Sequence, residues 1–76
     1  MNISEEIKYG ESLLNEGQYD EALKCFKNVL NVNEFDYQAL NYIAITYSML
    51  KEYSNAIEML HKAINHEPSL PNAFLN

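Results

Sequence analysis

One cysteine (Cys25), two histidines (His61 and His66) and eleven carboxylates are the residues of this chain that could hold a metal or move a proton. Their spacing argues against both. His61 and His66 are five residues apart, which misplaces them for a shared metal on a helix, and no second cysteine or close carboxylate pair completes a zinc site. Both are expected as surface histidines. Cys25 lies on a stripe with Ala22, Phe26 and Val29, so it is expected as a small core residue and not as a nucleophile. There is no glycine-rich phosphate loop and no nucleophile beside a base, so no enzymatic activity, cofactor or metal is expected. Six tyrosines could stack on bases, but Tyr19, Tyr47 and Tyr53 fall at positions expected to pack, and no basic residues interleave with them.

Charge narrows the partners. Eleven acids against five bases give a net charge of -6, and every base is a lysine. Without arginine the chain lacks the fork that clamps phosphate, and its field repels nucleic acid and anionic lipid, so neither nucleic-acid nor membrane binding is expected. Residues 1–36 hold eight of the acids and three lysines, so electrostatic steering belongs mainly to that half. Met1 to Glu6 has neither the basic nor the apolar region of a secretory signal, and no apolar run reaches the length of a membrane span. Together with a lone cysteine, this leads us to expect a cytoplasmic chain.

The apolar residues define the elements. Ala22, Cys25, Phe26, Val29 and Leu30 recur at three and four residues, as do Ala56, Met59, Leu60, Ala63 and Ile64, whereas strand-like alternation is missing. The pattern predicts an all-α fold with helices over roughly Ser4–Asn15, Asp20–Val32, Tyr37–Leu50 and Ser54–His66. Ser4 and Asp36 are the expected N-caps, and Glu5 and Glu6 favour the first helix dipole. Gly17 is expected to end a helix in left-handed geometry, Pro68 to stop the fourth, and Asp20–Lys24 and Glu58–Lys62 to form surface pairs.

A shift of 34 residues superimposes the chain on itself, with Gly10 over Ala44, Leu13 over Tyr47, Tyr19 over Tyr53, Ala22 over Ala56, Phe26 over Leu60 and Leu30 over Ile64. The expected units are residues 3–36 and 37–70, with 71–76 as the truncated start of a third, in which Pro71 suits a first helical turn and Ala73 and the apolar Phe74 match Ala39 and Leu40. Such an ending reads as a piece of a longer array.

These residues resemble the tetratricopeptide repeat, a 34-residue helix-turn-helix unit with small residues at three set sites and a proline at a fourth. Gly10, Ala22 and Val29 fill those sites in the first unit, and Ala44, Ala56, Ala63 and Pro68 fill them in the second. The resemblance implies two hairpins in a right-handed α-solenoid segment. Glu6, Glu34, Val29 and Lys51 depart from its pattern. Positive φ at Lys51 costs about 1–2 kcal/mol relative to glycine, so that turn is expected to be built differently from the one at Gly17.

Between Tyr37 and Leu50, 10 of 14 residues are apolar, more than one hairpin interface needs. Leu40, Ile43, Ala44 and Tyr47 are expected to pack on the fourth helix. The resemblance implies that a second face of each unit's first helix lines a groove for partner peptides. That groove comprises Ile7, Glu11, Leu14 and Asn15 in unit one and Asn41, Ile45, Ser48 and Met49 in unit two, with Tyr42 at its edge. Ile45 and Leu14 have the alternative of sealing the interface between units. A subset of the family binds acidic tails through basic groove residues, but the matching positions here, Ile7, Glu11, Tyr42, Asn72 and Asn76, include no base. A neutral or basic protein or peptide partner is therefore expected. The alternative is self-assembly through exposed ends, one carrying Phe74 and Leu75, as a homo-oligomer. The competing fold is a closed four-helix bundle, which brings the first and fourth helices together.

Overall fold

The computed structural model describes residues 1–66. Pro68, the expected third unit at 71–76 and the groove-equivalent Asn72 and Asn76 lie outside the described residues. Four helices form, α1 (Ile3–Asn15), α2 (Tyr19–Val32), α3 (Tyr37–Met49) and α4 (Tyr53–His66), with no strand among the described residues.

Local chemistry sets where each helix begins. The first cap is Asn2, not Ser4: its side-chain oxygen accepts the Glu5 N–H at 3.1 Å, and Ser4 is already inside α1. Asp36 caps α3 as expected, accepting the Ala39 N–H at 2.9 Å. α2 has no side-chain cap, so Asp20 and Glu21 in its first turn are left to offset the helix dipole. Lys24 pairs with Glu21 at 3.3 Å instead of with Asp20, and this is the only ion pair among the described residues, so the expected Glu58–Lys62 pair is not formed. Both groups of the observed pair are largely exposed, which makes its contribution small.

The two hairpin turns are built alike. After α1 the Gly17 N–H donates to the Leu14 carbonyl at 3.0 Å and the Gln18 N–H to the Leu13 carbonyl at 2.9 Å, with Gly17 at φ 80°. After α3 the Lys51 N–H donates to Ser48 at 3.0 Å and the Glu52 N–H to Tyr47 at 2.8 Å, with Lys51 at φ 64°. The expectation of a different turn at Lys51 is thus wrong. Left-handed backbone at the turn residue lets two successive N–H groups bond back to the last helix carbonyls, which offsets the steric cost of about 1–2 kcal/mol.

Packing follows the chain order. α1 lies on α2, α2 on α3 and α3 on α4; α1 also meets α3, whereas α1 and α4 do not touch. A closed bundle is thereby excluded. The core joins Ile7 and Leu13 of α1, Ala22, Cys25, Phe26 and Val29 of α2, and Ala39 and Ile43 of α3. Phe26 is at its centre. A Cβ on Gly10 would lie 2.6 Å from the Phe26 ring, so α1 can approach α2 this closely only through glycine. Ile43 and the half-buried Tyr47 join this cluster, and the Lys27 ammonium lies 5.8 Å from the Tyr47 ring centroid. Those two residues therefore reach the first hairpin in addition to the side of α3 that packs on α4. The physical reason is that α3 is covered on both sides.

Two substitutions test this account. Gly10→Ala gains about 1 kcal/mol of helix propensity but overpacks the Phe26 ring at a cost of about 1–3 kcal/mol, so the urea midpoint should fall. Lys51→Gly should raise the midpoint by the equivalent of about 1 kcal/mol. A raised midpoint for Gly10→Ala contradicts the close approach of α1 to Phe26.

Candidate peptide-binding groove

Buried polar groups on α3 are satisfied locally, which frees its other face for outside contacts. Thr46 is fully buried, and its hydroxyl donates to the Tyr42 carbonyl at 2.7 Å. No described side chain leaves a buried polar atom unpaired.

The eight predicted groove residues separate by depth. Ile7 is in the core and presents no surface to a ligand. Glu11, Leu14 and Asn41 are half-buried, and Leu14 packs against the core, so sealing is part of its role. Asn15 and Ser48 are exposed, as are Ile45 at 41% and Met49 at 55%. Leu14 and Asn15 follow Glu11 by three and four residues, and Ile45 and Met49 follow Tyr42 by three and seven, so each set shares one face of its helix.

Glu11 and Tyr42 join the two helices. The Tyr42 hydroxyl donates to Glu11 Oε2 at 2.7 Å, and its ring stacks on Phe26 with centroids 5.1 Å apart and planes 5° from parallel. Sequence reasoning placed both residues in or beside the groove but had no signal for the bond, which depends on how α1 and α3 are rotated. Accepting this bond from Tyr42, Glu11 holds the phenol above its ordinary pKa of 10.0; burial and the Glu11 charge add to the effect. Burial likewise raises the Cys25 thiol, helped by the charge of Glu6 and its role as acceptor, and then by the charge of Glu21. Cys25 is thus a protonated core thiol.

The expectation that Tyr53 packs is not met. It is 57% exposed and heads a stripe on α4 with Ile57, Leu60 and Ile64, which are 53%, 40% and 44% exposed. His61 is also exposed, as expected. Among the described residues no three histidine, cysteine or carboxylate side chains could hold a metal. A shallow cleft of about 360 Å³ lies between the α1–α2 turn and Leu50, lined by Gly17, Gln18, Tyr19, Asp20 and Glu21. It adds no convergent chemistry. No described helix is long and apolar enough to cross a membrane.

Two successive helical hairpins that meet through α2 and α3, with a partly exposed face on α1 and α3, define a helical-repeat scaffold. The tetratricopeptide repeat family model matches residues 7–33 and 38–69, and the chain belongs to that family. Its repeats generally mediate protein–protein interactions, and its members are typically scaffolds without catalysis. No curated protein and no solved structure matches the chain.

The Tyr42 bond has a pH signature. A raised folded-state pKa means that the contribution of Tyr42 to stability is complete below the ordinary value of 10.0 and is lost as pH rises through the folded value. Tyr42→Phe keeps the stacked ring and removes the bond. It should cost about 1 kcal/mol at neutral pH and flatten the alkaline fall in stability, read by urea unfolding across pH. A fall of unchanged steepness argues against the bond.

Proposed function

We infer that this chain binds a segment of a partner protein along the face shared by α1 and α3, with residues 3–36 and 37–70 acting as successive units. The observation that carries this reading is the exposure of Ile45 and Met49 on a helix whose other sides are already covered. Exposed apolar side chains of that size, beside Asn15, Asn41 and Ser48, suit a peptide backbone: the amides set register while isoleucine and methionine give adaptable contact. Binding and positioning are all that these side chains offer, consistent with a scaffold. The net charge of -6 favours a neutral or basic segment over an acidic one or a nucleic acid.

The α4 stripe supports a second reading, association between copies of the chain. Tyr53, Ile57, Leu60 and Ile64 occupy the positions that Tyr19, Leu23, Phe26 and Leu30 hold on α2, where Phe26 is buried and Leu23 and Leu30 pack against the core. The expected contribution of Phe74 and Leu75 lies outside the described residues.

Panning a random twelve-residue peptide library on the chain tests the first reading. Selected peptides should bind the double variant Asn41→Ala, Ile45→Glu at least about tenfold more weakly, with helical circular dichroism intact. Undiminished affinity removes the groove assignment. For the second reading, light scattering across concentration should show a dimer that Leu60→Glu dissociates; a monomer at every concentration rules it out.

A further inference from the structure

We propose that Glu11, held by Tyr42, is a preset anchor for a lysine or arginine of the bound segment, so that the groove selects a basic amphipathic peptide. This rests on the groove reading above and adds the chemistry of the ligand.

Several carboxylates of the chain have side-chain partners, but their circumstances differ. Glu21 is neutralised by Lys24, Glu6 accepts from Asn28 at 3.3 Å, and Glu52 accepts from Asn55 at 2.9 Å. Only Glu11 is tied across to α3 on the face of the expected groove. Its partner is a neutral phenol donating to Oε2 at 2.7 Å, so the bond orients the carboxylate without cancelling its charge. Oε1 remains for a second donor. Lys8, one turn earlier on α1, makes no ion pair with it.

The anchor is rigid because each contact behind it is close-packed. Tyr42 is stacked on Phe26, and Phe26 is fully buried against Gly10. A carboxylate already fixed loses little rotamer freedom when a cation docks, so more of the attraction is realised as affinity. Half-burial also shields it from screening better than the exposed surface acids. Leu14 follows Glu11 by one turn on α1, and Ile45 and Met49 follow its partner Tyr42 by one and two turns on α3, so apolar side chains share the faces of both groups. The matching ligand carries one cation over Glu11 and apolar side chains over Ile45 and Met49. Eight acids within residues 1–36 add a field that draws such a segment in.

The same twelve-residue random library, panned in parallel on wild-type chain and on Glu11→Gln, provides the test. Wild type should enrich peptides with a lysine or arginine at a fixed spacing from two apolar residues. Glu11→Gln should lose enrichment at the cationic position alone and keep the apolar ones. A selected peptide should bind about tenfold more weakly to Glu11→Gln and severalfold more weakly to Tyr42→Phe, and raising salt should weaken wild-type binding more than variant binding. If both panels yield the same peptides, or the wild-type panel is neutral or acidic, the anchor is refuted. When those peptides still lose affinity on Asn41→Ala, Ile45→Glu, the groove itself stands. No enrichment on either protein, or peptides indifferent to both sets of substitutions, overturns the anchor and the groove together.

Discussion

The ring of Phe26 is the contact through which three helices fix one another. On one side it lies so near Gly10 that any side chain there would overlap it, and on the other it stacks in parallel with Tyr42 at 5.1 Å. α1, α2 and α3 thus share one close-packed layer, and their rotations follow from it. A core of this size has few other large, fully buried side chains, Leu40, Ile43 and Val29 among them, so little else could compensate for a looser fit. Nearly every feature of the groove face traces back to this layer.

α3 carries the second consequence. It is the helix that contacts all three others, and the density of apolar residues between Tyr37 and Leu50 is what that position demands. Ala39 and Ile43 serve the first hairpin, small residues such as Ala44 allow close packing on α4, and Thr46 stays buried because its hydroxyl bonds back to its own helix. The turn after α3 shows how firmly this arrangement is held. Lys51 accepts left-handed backbone because that geometry brings the Glu52 N–H onto the Tyr47 carbonyl.

The proposed groove begins where that packing stops. Ile45 and Met49 are apolar without being covered, and the Tyr42 hydroxyl reaches out of the layer to orient Glu11. One side chain thus spans both environments: the Tyr42 ring packs against the core and its oxygen reaches Glu11. The α4 stripe differs in kind, since Ile57, Leu60 and Ile64 are aliphatic and the Tyr53 hydroxyl at its head is the one polar group it carries. Its chemistry suits helix packing, whereas the face of α1 and α3 suits reading a sequence.

Local regularities were legible in the residues themselves. The 34-residue shift, the spacing of Ala22, Phe26 and Leu30, the helix-ending glycine at Gly17 and the Asp36 cap all reflect interactions within a few positions of chain, and the helix bounds followed to within a residue or two. What required the folded molecule was everything set by the rotation of one helix against another. The depth of Ile7, the reach of Ile43 into the first hairpin, the exposure of Tyr53 and the bond between Glu11 and Tyr42 join or separate residues up to 31 positions apart. Periodicity tells which residues share a face of their own helix. Which neighbour that face meets, and how closely, is decided by the size of side chains on a different helix, as with Gly10 and Phe26, and no local pattern encodes that distance.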